Sequence, residues 1–452
     1  MKKIILLIIS FWALFINFGA SIAEQQQIEL LNDSETTETI NRIIAPLCEA
    51  AGIPSKKINL YIVIDKDINA FVMRGGDLFL NTGLITAFND PDVLKGVVAH
   101  ELSHLSSGHV LLRQTKIEDI LHQSWVTTLL GISAAAAGSP DLGTALVLGG
   151  SHVAERRAMR YSREQETVAD SLGMKYLHSV GNTAGGFIKL LEHFNSSELY
   201  SSSTYASPYM LTHPLSKERL KRVREAFLQE KDNLAIRPSS AREKEAYARV
   251  VAKLRAFLET KEYMADAKKD LTGFAKSYGD AIVFYRTAQF DKSFELLSSL
   301  IRQHKRDGYL YELKGQFLFE TGQLLPAVEE YRKAISFLGD KSSSRGDYAI
   351  VLISASKLYK ERSHQVAALN EAILVLNKVL DTPYQRNPYI YRNLAIAYGS
   401  LGKIGYSNLM LAEEALLLQR KEEAEDFLRI AKNYAGQDAK LKLKIEDIGN
   451  AL

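Results

Sequence analysis

Residues of matched size recur at a period of 34 in the last third of the chain, and this spacing constrains the fold more than any other feature. Tyr311, Gly315, Leu318, Gly322, Ala327, Tyr331 and Ala334 are preceded, 34 positions earlier, by Ala281, Phe284, Ala288, Ser293, Leu297 and Leu300. Small residues recur where paired helices must approach closely, and large ones where the gap between them must be filled. The spacing therefore predicts stacked helix hairpins, with a generic helical bundle as the alternative. The pattern returns more weakly at Tyr391, Ala395, Tyr398 and Gly402, and again at Ala412, Ala415, Ala424, Leu428 and Ala431. Residues 348–380 read as two further helices that lack the small positions. With 452 residues, 46% of them hydrophobic, the chain is too long for one ordinary domain, and two are expected.

The periodic region resembles the tetratricopeptide repeat. That resemblance implies an all-α solenoid whose concave surface receives extended or partly folded protein segments. The chain before it is patterned differently. Residues 35–51 place Ile40, Ile43, Ile44 and Leu47 on one helical face. Residues 59–64 are aromatic and β-branched, and two short apolar runs at 70–73 and 77–80 flank an Arg74-Gly75-Gly76 turn, which predicts a small sheet. From Pro91 onward the periodicity is helical, over 92–106, 162–179, 185–194 and 217–229. Turn residues at Arg237-Pro238-Ser239-Ser240 and a charged helix over 242–268 suggest a connector with a solvated face.

The N-terminus bears on the compartment. A basic start, Met1-Lys2-Lys3, precedes an apolar run from 4 to about 18 and then Ser21-Ile22-Ala23, as in a secretory signal cleaved after Ala23. An uncleaved anchor is the alternative, although the run is shorter than the ~20 residues that span a bilayer. Export to the periplasm is expected. Lysine plus arginine number 56 against 53 acidic residues, a formal charge of +3, so nucleic acid is not expected as a partner. A second apolar stretch, 126–150, is broken by Gly138-Ser139-Pro140-Asp141. It reads as a hairpin that touches a membrane surface, an unfolded client or the core, since a spanning helix would bury Asp141 and a proline.

The single cysteine, Cys48, excludes both an internal disulfide framework and a zinc site built from several thiolates. It is expected as a buried, inert thiol. A metal in this chain must be held by histidine and carboxylate. Val97 to His104 reads VVAHELSH, and on a helix His100 and His104 share a face and can place both imidazoles on one zinc ion. Glu101 then lies beside the metal as general base and acid. A third ligand must come from elsewhere, and in residues 162–170 Glu166 and Asp170 share a helical face. Glu166 suits the metal, and Asp170, one turn on, suits the free ring hydrogen of a liganding histidine; a solvated acidic face is the bland alternative. Three protein ligands leave a fourth position for water, as in a catalytic site.

These separated segments, Asn69-Ala70-Phe71 with Gly75-Gly76, His100 to His104, and Tyr161-Ser162-Arg163 through Glu166 to Ala169-Asp170, resemble the gluzincin peptidases of the HtpX, Oma and CAAX-prenyl-protease type. With the export signal and the repeats, the resemblance extends to the beta-barrel assembly-enhancing proteases. It implies an α+β zincin-like metallopeptidase domain over 24–234, after a signal over 1–23 and before a connector over 235–270 and a repeat domain over 271–452. It implies one Zn2+ per chain and a zinc endopeptidase that degrades or assists misassembled outer-membrane proteins. It also implies contact of the repeats with the outer-membrane β-barrel assembly machinery. A chaperone or scaffold with autoinhibited or vestigial proteolysis is the rival reading.

The resemblance also places His213, in Thr212-His213-Pro214, over the active site, either as an oxyanion donor or as a resting-state group that displaces the catalytic water. His109, five residues past His104, is off the ligand face and reads as a helix-end residue or a support behind a ligand. His122, His152, His178 and His193 read as structural or exposed. The run Ala70, Phe71, Val72 and Met73 offers an edge strand to an extended substrate, or forms a core hairpin with a covered edge.

Overall fold

The computed structural model describes residues 29–73, 75–110, 161–195, 208–213, 217–230, 235–339, 344–380 and 388–450. They fall in two compact units, Gln25–Thr287 and Ala288–Leu452. The expected signal over 1–23, Arg74 of the turn, His122, His152, Pro214 and the apolar stretch 126–150 lie outside the described residues.

The first unit opens with α1 (Ser34–Ala50), whose N-cap Asp33 accepts from the Thr36 amide at 2.8 Å and whose buried face carries Ile40, Ile43, Ile44 and Leu47. A mixed three-stranded sheet follows, from β1 (Asn59–Val63), β2 (Ala70–Val72) and β3 (Asp77–Asn81), in the order β1-β3-β2. β1 runs parallel to β3 and β2 antiparallel to it. After α2 (Thr82–Ala87) comes α3 (Pro91–Ser106), started by Asp90 as N-cap with a proline at its first position. Every residue of α3 from Pro91 to His104 is buried, so it is the central rod of the unit rather than a surface helix.

Around α3 lie α4 (Arg163–Ser179), α5 (Gly185–Asn195), α6 (Pro208–Thr212), α7 (Lys217–Glu230), α8 (Ala241–Leu258) and α9 (Gly273–Arg286). A capping box between Ser162 and Gln165 fixes where α4 begins. Gly173 fixes how closely α4 approaches α3: a Cβ there would stand 3.2 Å from the His100 amide nitrogen and 3.3 Å from the Ala99 carbonyl. That approach carries α4 side chains onto the face of α3 that bears the histidines.

The segment expected as a connector is woven into this unit. The buried Lys95 ammonium donates to Asn182 and to Glu243, each at 2.8 Å, and Asp92 accepts from the Ser239 amide and hydroxyl. Arg255 donates twice to the Thr86 carbonyl, and Lys253 pairs with Asp33 and Glu35. Tyr278 donates to Glu35 at 2.7 Å. Lysine and arginine that look solvated in the sequence are thus buried against carboxylates and carbonyls more than a hundred residues away. The compact unit runs on to Thr287, beyond the expected edges at 234 and 270, so the first copy of the 34-residue period straddles the two units.

The second unit is all-helical: α10 (Phe290–Gln303), α11 (Gly308–Glu320), α12 (Leu324–Leu338), α13 (Ser344–Ser356), α14 (Arg362–Leu380), α15 (Pro388–Ser400), α16 (Ile404–Leu417), α17 (Lys421–Asn433) and α18 (Ala439–Gly449). Gly315 of α11 lets the Tyr331 ring of α12 lie where a Cβ would meet it at 2.7 Å, which is the close approach the period required. One apolar core runs from Leu318 through Ala349, Ala372 and Leu409 to Ile448. Among the described residues no helix is long and apolar enough to cross a membrane. Cys48 is buried and unpaired, its thiol pushed up to about 11 by burial and by Glu49.

Candidate metal centre

His100, Glu101 and His104 are fully buried on α3. The two Nε2 atoms, four residues apart on one helical face, converge to 3.1 Å. α4 brings Glu166 to them: Oε1 lies 3.4 Å from His104 Nε2, and Oε2 lies 3.5 Å from His100 Nε2. His213 follows α6 directly, its amide bonded to the Tyr209 carbonyl, and its Nδ1 stands 3.3 Å from His100 Nε2 and 3.0 Å from Glu166 Oε1. One donor atom from each of the four residues lies within 4.8 Å of the others.

These separations suit a small tetrahedral cation. Arms of about 2.0–2.1 Å, as zinc takes with nitrogen and oxygen, put neighbouring donors about 3.3–3.4 Å apart, and the contacts of His100 with His104 and of Glu166 with the three histidines run from 3.0 to 3.5 Å within a donor set spread over no more than 4.8 Å. The charge balance also suits one. Glu101, Glu166 and Asp170 are three buried carboxylates facing one buried guanidinium, Arg219, a deficit that a divalent cation would cancel when the imidazoles are neutral.

The groups behind the cluster hold it in shape. Asp170 Oδ1 lies 3.0 Å from His100 Nδ1. Arg219, on α7 and 2% exposed, grips Asp170 with two bonds of 2.8 and 2.9 Å and reaches Glu166 Oε2 at 2.6 Å. Each imidazole also has an aromatic plate: Tyr161 stacks on His104 at 3.7 Å, Tyr209 on His213 at 4.5 Å, and Phe187 on His100 at 5.4 Å. Glu101 Oε1 is 3.4 Å from His213 Nε2, so this one ring spans the space between the cluster and Glu101.

Burial and charge set the protonation states of the metal-free site. Burial would raise both α4 carboxyls. His213, Arg219 and His100 nevertheless hold Glu166 well below its ordinary range, and Arg219 and His100 hold Asp170 down. Burial would lower His100, but Glu166 and Asp170 outweigh it and lift the ring to about 9. For His104 burial prevails, helped by the neighbouring histidines, and its pKa falls well below the usual value.

The structure therefore brings His100, Glu101, His104, Glu166, Asp170 and His213 into one buried cluster. It adds Arg219, Phe187 and Tyr209, which the sequence did not single out, and places Tyr161, named before only as the start of a motif segment, as the plate on His104. Only adjacency hinted at Arg219, six residues past His213. His109 closes back on His104, Nδ1 to Nδ1, at 3.1 Å. His178 bonds Glu230 at 2.7 Å, and His193 lies edge-on to Phe88, both away from the cluster. In the 70–73 run Ala70 and Val72 are buried, Phe71 stacks on Phe79 at 4.7 Å and Met73 is exposed. β2 pairs with β3 on one side, and among the described residues no strand pairs with its other side.

Comparison with known proteins places this cluster in context. Residues 34–227 match the model of peptidase family M48. A putative beta-barrel assembly-enhancing protease of Vibrio cholerae is 26% identical over 295 residues, covering 62% of this chain and 58% of its own length. The beta-barrel assembly-enhancing protease of Yersinia pestis is 24% identical over 346 residues, 75% of this chain and 68% of its own. That of Escherichia coli K12 is 28% identical over 191 residues, 42% and 39%. The chain thus spans between about two fifths and two thirds of the length of these curated relatives.

Proposed function

Residues 34–227 being a peptidase family M48 domain, we propose that the chain is a periplasmic zinc metalloendopeptidase that degrades misfolded or stalled outer-membrane proteins and assists their assembly. The observation that carries this reading is the convergence of His100 Nε2, His104 Nε2 and Glu166, with Glu101 beside them, inside a buried pocket. Bound there, zinc would supply Lewis acidity, polarising the scissile carbonyl and lowering the pKa of the attacking water. Glu101 takes the proton of that water as its oxygen bonds to the carbonyl carbon, then hands it to the departing amine as the C–N bond breaks. Asp170 keeps the His100 proton on Nδ1, and Arg219 holds Asp170 and Glu166 in place.

For the second unit we propose tetratricopeptide-type repeats that receive unfolded clients and contact the outer-membrane β-barrel assembly machinery. Stacked helix hairpins and the names of the relatives support this. Residues 1–23 serve as the export signal in this reading, and 126–150 as a peripheral contact with membrane or client. β2, with Ala70 to Met73, would receive the substrate backbone as an added strand. The purified protein should carry one zinc per chain and cleave an unfolded outer-membrane β-barrel protein. Chelation should stop cleavage, and added zinc should restore it. Cleavage that persists in the metal-free protein would overturn the reading.

One observation favours the rival in which proteolysis is shut off at rest. His213 Nδ1 stands at the cluster where a catalytic site keeps an open position, and a fourth protein donor makes a closed, structural type of site. His213→Ala is then expected to raise basal cleavage by about 10-fold or more, as for a competent state populated at about 10% or less. A fall in the same assay would instead assign His213 to the oxyanion.

A further inference from the structure

His100 and His104 are backed by different groups. Behind His100 stands Asp170, the kind of carboxylate that metal-binding imidazoles usually carry. Behind His104 stands an imidazole, His109, with Nδ1 3.1 Å from His104 Nδ1. If His104 is to turn a lone pair on Nε2 toward the cluster, its ring proton must sit on Nδ1. That proton needs a protein acceptor, because His104 is wholly buried.

The chain's path delivers one. α3 ends at Ser106, and Gly108, at φ +70, turns the backbone so that His109 comes back over the last helical turn, although five residues past His104 it lies off the ligand face. Ring centroids 5.2 Å apart with nitrogens 3.1 Å apart mean that the two rings meet edge to edge, as a ring N–H meets an in-plane lone pair. The choice of group follows from charge. The pocket already holds Glu101, Glu166 and Asp170, and a further carboxylate behind His104 would add another buried negative charge, whereas a neutral imidazole offers an acceptor without one.

We propose that His109 is a positioning residue for His104: protonated on Nε2, it accepts the Nδ1 proton of His104 and fixes the tautomer whose Nε2 faces the metal. The inference rests on the metal-centre reading above. It also makes the two histidine ligands unequal, His100 polarised by a carboxylate and His104 by a neutral ring.

The test uses the full chain and zinc alone, with affinity read by chelator competition and geometry by the visible spectrum of the cobalt-substituted protein. His109→Phe, which fills the same space but accepts nothing, should lower zinc affinity 10- to 100-fold, the usual effect of losing such a partner, and alter the cobalt bands. His109→Asn, whose carbonyl oxygen can accept the same proton, should recover most of both. The thermal midpoint of the metal-free variants should stay close to that of the wild type, because without metal the His104 ring proton can sit on Nε2 and face Glu166 instead. If His109→Phe does not fold, His109→Leu takes its place. Wild-type zinc affinity in the Phe or Leu variant would overturn the inference alone, as would a lowered midpoint with unchanged affinity. A wild-type protein that binds no zinc would overturn the metal-centre reading and this inference with it.

Discussion

Glu101→Gln is expected to leave zinc content unchanged and to lower peptide cleavage by about 10^2- to 10^4-fold, the range over which a positioned general base acts. The two side chains have nearly the same size and shape, so α3, buried along its length, has no reason to repack. The ligand atoms of His100, His104 and Glu166 are untouched. What changes is one capacity: glutamine cannot take a proton from water or return it to the amine. Zinc analysis of both proteins and cleavage of the same unfolded outer-membrane protein decide the matter. Equal cleavage would remove Glu101 from the mechanism. Loss of zinc would mean that Glu101 holds the metal, contrary to its place beside the cluster, where its Oε1 faces His213 Nε2 at 3.4 Å.

The parts of this centre that were legible in the sequence are those encoded by short-range helical geometry. His100 and His104, or Glu166 and Asp170, share a face because four residues make about one turn. Gly315 and Tyr331 were legible for a related reason: a small residue opposite a large one at fixed spacing describes two helices in close approach. Long-range pairing was not legible. A charged stretch such as 242–268 reads as solvated unless its partners are known, and the partners of Lys253 are Asp33 and Glu35, more than two hundred residues back. A buried arginine looks the same in a sequence as an exposed one, and nothing in the sequence pairs Arg219 on α7 with Glu166 and Asp170 on α4. His213 is placed over the site by resemblance alone, and its orientation, Nδ1 to the cluster and Nε2 to Glu101, belongs to the structure. The helices over 348–380 lack the small positions of the period yet still pack into the common core, in which Ala349 and Ala372 are fully buried.

Arg219→Met is expected to destabilise the metal-free first unit by about 3–5 kcal/mol, the cost of leaving a buried charge without its partner. Methionine approximates the volume of the arginine stem, so the loss reports charge and hydrogen bonds more than packing. The guanidinium is 2% exposed, bonds both oxygens of Asp170 and reaches Glu166, and it is a cause of the lowered pKa of each carboxyl. The sign with pH follows from this. In the wild type, carboxyls with depressed folded pKa values contribute stability that is present above the ordinary range of about 3.9–4.3 and is lost as pH falls through the folded values. Without Arg219 less positive charge opposes the effect of burial on the same carboxyls, His100 and His213 alone remaining, so the deficit of the variant should be largest at neutral pH and shrink on acidification. Zinc should shrink it too, because a bound divalent cation supplies positive charge to the same oxygens. Adding Asp170→Asn should recover part of the stability by removing the stranded charge. It should not recover zinc affinity, since the amide is a weaker acceptor behind His100. Denaturant unfolding of the three proteins, metal-free and zinc-loaded at two pH values, separates these terms. A deficit below about 1 kcal/mol in the metal-free single variant, within the range of a surface ion pair, would show that Arg219 does not hold the centre together.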